Sequence, residues 1–474
     1  MNTALSSLAC EHLDRLRAFY ATAPTVPQAG ARAYRTLLAH YYNLLIPADA
    51  SVLEIGCGSG ELLAQVRAAR KTGLDLSATQ IAAARQRVPG AEFFVQAGEL
   101  VDLGERRFDV IIISDTLNLA ADVQHLLERL HLVSHPGTRL LINFQNSLWR
   151  PLLSLARLLG LKAAQPQNSW LASADVLNLL QLAGWSAVWR QGRILVPFSA
   201  FGLGPLVNRW IAPVLQWFAL TIFIVARPER TGPARALTVS VVIPARNEAG
   251  NIAAAVARTA DMGAGTELIF VEGHSRDDTW AQIQKVAAAN PARKIKILQQ
   301  TGKGKGDAVR AGFAVATGDI LMILDADLTM PPEDLPKFYD VLASGRAEFA
   351  NGVRLVYPMD EKAMQFLNLC ANKAFGLIFT WLLGQPVKDT LCGTKVLSRA
   401  HYDSIAANRA HFGDFDPFGD FDLLFGAAKL NLTIADVPIR YRERTYGTTN
   451  IQRWKHGVLL LRMVLFAARK VKFV

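Results

Sequence analysis

Short apolar runs alternate with helical stretches along this chain, and the alternation stops once and then restarts. The stop is RPERTGPARA, residues 227–236, a charged stretch with two prolines and a glycine that reads as a linker. Before it come SVLEIG, KTGLDL, AEFFV, FDVIIIS and TRLLINF; after it come TVSVVIP, TELIFVE, KIKILQ and DILMILD. Runs spaced this way call for βαβ units, with parallel sheets covered by helices on both faces. The expected fold class is therefore α/β in two domains, over 1–227 and 237–474, joined by a linker over 228–236. Ligands of such sheets gather beyond the carboxyl ends of the strands, so the residues that follow each run carry the functional signal.

Composition supports folded domains: of 474 residues, 51% are hydrophobic and 19% charged, too apolar a balance for global disorder. Cys10, Cys57, Cys370 and Cys392 are scattered, with no C-x-x-C pair, as in a reducing cytosol. The start, MNTALSSLACEHLDRLRAFY, lacks the basic and apolar regions of a signal peptide. WIAPVLQWFALTIFIVA, residues 210–226, is short for a membrane span and holds Pro213, so it reads as a helix end followed by a buried strand. The expected location is cytoplasmic, peripheral on the cytoplasmic face of a membrane.

The formal charge of +11 is unevenly placed: residues 440–474 hold nine Lys or Arg against one acid, Glu443. Such a tail seeks an anionic partner. Residues 451–474 read as a helix in which Lys455, Arg462 and Arg469 form a basic stripe. Val458, Leu460, Leu461, Val464, Leu465 and Val471 spread over a broad apolar face. That pattern fits a helix lying in a membrane interface, with a core helix carrying snorkelling cations as the alternative. Residues 364–384 are a second candidate of this kind. No nucleic-acid reader motif accompanies the basic tail, so nucleic acid is not an expected partner.

In the first half, VLEIGCGSGELL ends a strand in Gly56, Gly58 and Gly60, where bare backbone can approach a ligand closely. Asp75 closes the next strand, where a carboxylate can take both hydroxyls of a ribose. Glu54 precedes the glycines and would repel a pyrophosphate. These residues resemble the class I S-adenosylmethionine-dependent methyltransferases, over roughly residues 40–227. The resemblance implies a Rossmann-like fold that binds S-adenosylmethionine through Glu54, Gly56, Gly58, Gly60 and Asp75. FDVIIISDTLNL matches the strand and loop facing the methyl group, and WSAVWRQGRILV with FALTIFIVARP matches the late hairpin, with 197–217 inserted. After the third strand only Gly98 and Glu99 are available to the adenine. Asn118 and Leu119 stand where many members carry Glu-His, so no general base is assigned. A non-catalytic cofactor-binding or scaffolding module is the rival reading.

In the second half, ILDADLTMPPEDL delivers Asp325 and Asp327 at a strand end, two apart and so on one side. Paired hard oxygen ligands suit Mg²⁺ or Mn²⁺ shared with substrate phosphates; strand-end acids that cap the next turn are the alternative. GKGKGDAVRAGF supplies Lys303, Lys305 and then Arg310, which suit phosphates. VSVVIPARNEAGNI places Pro244, Asn247 and Glu248 after a strand, and ELIFVEGHSRDDTW places Glu272, Ser275 and Asp277. This set resembles the family 2 glycosyltransferases of the GT-A fold. Within them it is most similar to the polyprenyl-phosphate (dolichyl-phosphate) sugar synthases, over nearly all of 237–474.

The resemblance implies a nucleotide-sugar donor whose base and ribose lie near Pro244, Asn247, Glu248 and Glu272. It implies a diphosphate bridged by metal to Asp325 and Asp327 and a polyprenyl-phosphate acceptor at the membrane surface. GVRLVYP with Arg354, KDTLCGTKVLS with Asp389, Cys392 and Gly393, FDLL with Asp422, and YRERTYGTTN with Arg444 and Gly447 complete the match. Two departures stand out: Glu272-Gly273-His274-Ser275 replaces the common Asp-Asp-Gly-Ser, and Leu424 replaces an acid two residues beyond Asp422, with Asp420 nearby. Attack from the face opposite the leaving group would invert the sugar. A phosphate acceptor titrates near ~6 and needs cationic clamping, for which Arg354 and Arg444 are the candidates. A hydroxyl acceptor, the rival substrate, would need Asp422 to take its proton.

Overall fold

The computed structural model describes residues 5–25, 29–158, 166, 171–198, 202–229, 236–354, 366–409, 421–442, 444, 446 and 453–474. The chain forms two compact units, Met1–Glu229 and Arg230–Lys472. Most of the expected linker, 230–235, lies outside the described residues, as do Asp420, Glu443 and Gly447.

The first unit holds seven strands: β1 Ser51–Ile55, β2 Arg70–Asp75, β3 Glu92–Val95, β4 Phe108–Ser114, β5 Ser134–Gln145, β6 Trp185–Ile194 and β7 Thr221–Pro228. Their order in the sheet is β3-β2-β1-β4-β5-β7-β6. The first five run parallel, and β7 is antiparallel to both β5 and β6. Alternate residues of the central strands enter two different cores. Leu53, Ile111 and Ile113 pack on one face of the sheet, while Val52, Val110 and Ile112 pack on the other. This double burial explains why the strands read as unbroken apolar runs. Each buried aliphatic side chain contributes roughly 1.5–3 kcal/mol.

The second unit repeats the plan with β8 Val239–Ala245, β9 Thr266–Glu272, β10 Lys294–Gln299, β11 Ile320–Ile323, β12 Phe349–Val353, β13 Lys395–Ser398 and β14 Ile434–Pro438. Their order is β10-β9-β8-β11-β13-β12-β14. β13 runs antiparallel to β11 and β12, so this sheet, like the first, is mixed rather than wholly parallel as the alternation implied. In both units the chain builds outward through three strands and then returns to the other side of the first one. The reversal falls between β1 and β4 and again between β8 and β11, opening a crevice at the carboxyl ends of those strands.

The tail forms a helix, Arg453–Val471. Met463, Val464, Ala467 and Ala468 are buried, and Lys472 lies over the Trp381 ring of the helix Phe366–Leu383. Leu461, Arg462, Leu465 and Arg469 face outward. Val464, expected on a lipid-facing side, therefore belongs to the packed side. Among the described residues no helix is long and apolar enough to cross a membrane.

Candidate functional site

In the first crevice the loop after β1 turns through Gly56, Gly58 and Gly60, all in the left-handed region. A Cβ on Gly56 would fall 2.5 Å from Thr116 Cγ2, so only glycine lets this loop lie against the end of β4. Asp75, at the end of β2, accepts the Gly58 N–H at 2.8 Å and the Ser77 N–H at 2.9 Å. Burial raises its carboxyl, and those two bonds oppose the rise. Glu54 is buried, and its Oε2 has no partner among the described residues. Burial pushes its carboxyl up to about 8, against the pull of Arg35.

Neither Glu54 nor Asp75 lies within ion-pair distance of a cation among the described residues. A buried acid pocket with an orphaned carboxylate oxygen, beside bared backbone, fits a nucleoside that carries a cationic tail. Glu99 behaves otherwise: its Oε1 accepts the Ala121 N–H at 2.7 Å and so braces the loop after β4. The helix Ser7–Thr22 covers the crevice. Ser77 Oγ donates to the Tyr20 carbonyl, Gln80 Nε2 donates to the Ala23 carbonyl, and His12 Nε2 bonds the Leu119 carbonyl. Burial and the charge of Asp75 push the Tyr20 hydroxyl up to about 12.

Asp115 was not singled out from the sequence. It directly follows β4 with φ 52°. Its Oδ1 accepts Asn143 Nδ2 at 2.9 Å and the Tyr34 hydroxyl at 3.4 Å. Tyr34 also bonds Thr221 Oγ1 at 2.9 Å, and the Tyr42 hydroxyl donates to Asn143 Oδ1 at 2.6 Å. Burial and the Asp115 charge hold the Tyr34 hydroxyl well above its ordinary range. An acid directly after a strand was readable; its strained backbone and a tyrosine 81 positions away were not.

In the second crevice acids and cations interleave. Asp325 Oδ1 meets Lys305 Nζ at 2.7 Å, and Gly393 lies so close that a Cβ there would strike the same two groups. Asp327 Oδ2 accepts Arg444 Nη2 at 2.6 Å, while its Oδ1 accepts the N–H and hydroxyl of Thr329. The other arm of Arg444 reaches Glu248 Oε1 at 2.8 Å, and Glu248 Oε2 accepts Asn251 Nδ2. Burial raises the Glu248 carboxyl, with Arg444 opposing it. The segment carrying Arg444 is laid over the crevice: Arg442 N–H donates to the Thr329 carbonyl, and Tyr446 lies against Gly250. Asn247, φ 57°, donates its N–H to Ser275 Oγ, and its Oδ1 accepts the Arg276 N–H. Glu272 accepts the Ser275 N–H and Gln299 Nε2. Pro244 sits within β8, half-buried. Pro244, Asn247, Glu248, Glu272, Ser275, Asp325 and Asp327 end or follow the three strands β8, β9 and β11, and Lys305 opens the helix Lys305–Val315 that follows β10.

Two expected catalytic groups are engaged elsewhere. Arg354 Nε and Nη2 grip Asp389 Oδ2 and Oδ1 at 2.7 and 2.9 Å, and its guanidinium lies over the Tyr441 ring. Burial alone would lower its pKa, but the Asp389 carboxylate outweighs that and raises it. Asp389 also accepts the N–H of Leu391 and Asn372 Nδ2. This fork holds the end of β12 to the loop before β13. Asp422 starts the helix Phe421–Lys429, buried, with Arg409 Nε at 3.1 Å from its Oδ2. Leu424, where an acid was looked for, is buried among apolar neighbours.

Residues 240–403 match the family model for glycosyl transferase family 2, and residues 53–140 match one for a methyltransferase domain. A dolichol-phosphate mannosyltransferase of Pyrococcus furiosus is 30% identical over 182 residues, 37% of this chain and 50% of that one. An undecaprenyl-phosphate 4-deoxy-4-formamido-L-arabinose transferase of Edwardsiella ictaluri is 27% identical over 228 residues, 47% of this chain and 64% of that one. The chain thus spans about half the length of these curated relatives. Among solved structures, a methyltransferase of Thermotoga maritima, described as S-adenosylmethionine-dependent, shares 15% identity at a TM-score of 0.32, covering 42% of this chain and 91% of that one. Glucosyl-3-phosphoglycerate synthase of Mycobacterium tuberculosis shares 21% identity at a TM-score of 0.37, covering 50% of this chain and 80% of that one.

Proposed function

We propose, from a family 2 glycosyltransferase domain joined to a methyltransferase domain, that the second unit moves a sugar from a nucleotide donor to a polyprenyl phosphate at a membrane surface. The observation that carries this reading is the crevice between β8 and β11, where Asp325 and Asp327 stand among Lys305, Arg444 and Glu248. The names of the relatives supply the acceptor class. Asp325 and Asp327 would hold Mg²⁺ or Mn²⁺, whose charge would offset that of the departing nucleoside diphosphate. Lys305 and Arg444 already touch the oxygens such an ion would take, so they are placed to pass to phosphate oxygens. Asn247, Glu248 and Glu272 line the entrance used by the nucleoside.

A phosphate monoester is nucleophilic near neutrality without a strong base, its second ionisation lying near ~6. The geometry favours this over a hydroxyl acceptor, because Asp422 is held by Arg409 rather than poised as a base. Arg444 is the clamp on the acceptor, whereas Arg354 ties the end of β12 to the loop before β13. The tail helix, with Leu461, Leu465, Arg462 and Arg469 outward, meets the bilayer from one side.

In the first unit S-adenosylmethionine would supply an electrophilic methyl group. Glu54 would face its cationic portion and Asp75 would take its ribose, while Glu99 braces the loop after β4 on the adenine side. Asp115 would take the proton that the methyl acceptor releases, with Tyr34 and Asn143 fixing its carboxylate. The test is sugar transfer to a short-chain polyprenyl phosphate with Asp325→Asn. Transfer should fall by at least about a thousandfold, with adenosylmethionine binding unchanged; unimpaired transfer removes the acid pair from the reaction.

A further inference from the structure

At the carboxyl end of the first sheet, on the β5–β7–β6 side of the crevice, one surface of the first unit is built inside out. Two segments meet there: 146–158, after β5, and 195–198 with 202–220, between β6 and β7. Their polar groups turn inward. Asn208, buried, accepts the N–H groups of Leu195 and Val196 at 2.9 and 3.0 Å and donates to the Val196 carbonyl at 2.7 Å. Asn146, also buried, donates to the carbonyls of Trp217 and Ala219 at 2.9 and 3.0 Å. Trp149 Nε1 donates to the Phe218 carbonyl at 2.8 Å, joining the two segments. At Gly192 a Cβ would fall 2.1 Å from the Gln216 carbonyl oxygen, so the missing side chain is what lets the insertion lie on the sheet.

With the polar groups tied inward, the apolar side chains are left outside. Leu152 is 57% exposed, Leu203 63%, Val214 54%, Trp217 69% and Phe218 60%. A soluble surface seldom gathers such side chains in one place without a partner. Charge identifies the partner. The two segments that form the face hold three arginines, Arg150, Arg157 and Arg209, and no acid. Arg209 is exposed and lies over the Trp210 ring. A second copy docked on this face would bring its own positive charge against it. Tryptophan, phenylalanine and leucine set among cations suit the headgroup layer of an anionic bilayer.

We propose that this face, formed by the insertion between β6 and β7 and the segment after β5, docks the first unit onto anionic lipid, with Trp217, Phe218 and Leu152 entering the interface. The proposal goes beyond the tail helix of the second unit and does not need it.

Flotation with phosphatidylcholine vesicles, with and without phosphatidylglycerol, tests it on the full chain. The wild type and a tail variant, Leu461→Ser with Leu465→Ser, should both float with the anionic vesicles and lose binding as salt rises. Leu152→Ser with Trp217→Ser should bind at least about tenfold less than the tail variant, while adenosylmethionine affinity and sugar transfer to a soluble short-chain phosphate stay unchanged. Brominated acyl chains should quench wild-type fluorescence, and Trp217→Phe should lose that part of the quenching. Flotation of the Leu152/Trp217 variant equal to wild type overturns the proposal, as does an unquenched Trp217. So does a wild-type dimer that this variant dissolves while neither protein binds vesicles. Loss of sugar transfer alone would count against the transferase reading and leave this one standing.

Discussion

β1 and β4 in the first unit, and β8 and β11 in the second, flank strand-order reversals built to one plan, yet the two crevices carry opposite electrostatics. In the first, Glu54 and Asp75 are buried beside bare glycine backbone, and burial drives both carboxyls upward. In the second, each acid of the pair touches a cation, Lys305 on Asp325 and Arg444 on Asp327. The first environment favours an occupant that brings positive charge. The second favours anionic oxygens together with an ion that can take the carboxylates. One backbone topology thus fixes where a ligand sits, and the side chains just past the strands fix its sign.

The comparison can be broken at several points. The largest effect is expected outside both crevices. Asp389→Asn strips the partner from the buried Arg354 guanidinium and should destabilise the second unit by about 3–5 kcal/mol, seen as an earlier thermal transition. If transfer is lost with stability intact, Arg354 is a substrate clamp after all. Next, Asp115→Asn should lower methyl transfer about a hundredfold at unchanged adenosylmethionine affinity, with Tyr34→Phe milder; equal activity would leave the first crevice a binding module.

The third concerns pH. Burial places the Glu54 carboxyl at about 8 in the folded chain against an ordinary 4.5. Between those values the folded state holds a proton that the unfolded state releases, so stability falls as pH rises and levels above about 8. The slope approaches about 1.4 kcal/mol per pH unit, and Glu54→Gln should flatten it in thermal unfolding of the ligand-free protein. The smallest effect is Asp422→Asn, which should change transfer to a phosphate acceptor by less than about threefold; a large loss would restore the hydroxyl acceptor.

Much of this was legible in the chain. β1, β4, β9 and β11 are buried on both faces and end in, or run within two residues into, a glycine or an acid, so they show as runs with a signal at the end. The later strands of the second sheet did not show. β12 carries Asn351 and Gly352 mid-strand, and β13 starts at the buried Lys395. Their polar side chains are placed by bonds that residue type does not announce: Asn351 Nδ2 donates to the Asp389 carbonyl and Asp436 Oδ1, and Lys395 Nζ to the Cys392 carbonyl. The pairing of Arg354 with Asp389 was hidden for the same reason, since a guanidinium that grips a carboxylate reads like one waiting for a phosphate. Asn247, His274 and Leu328 join Asp115 as left-handed residues just past strands, a strain that residue type alone does not announce.

The most direct test of the contrast between the crevices is calorimetry with a nucleoside diphosphate, with and without Mn²⁺, on the wild type and Asp327→Asn, with adenosylmethionine titrated alongside. The account predicts that the wild type binds the diphosphate only with Mn²⁺, and that Asp327→Asn loses this while keeping adenosylmethionine. Diphosphate binding that ignores both the metal and the substitution would contradict it.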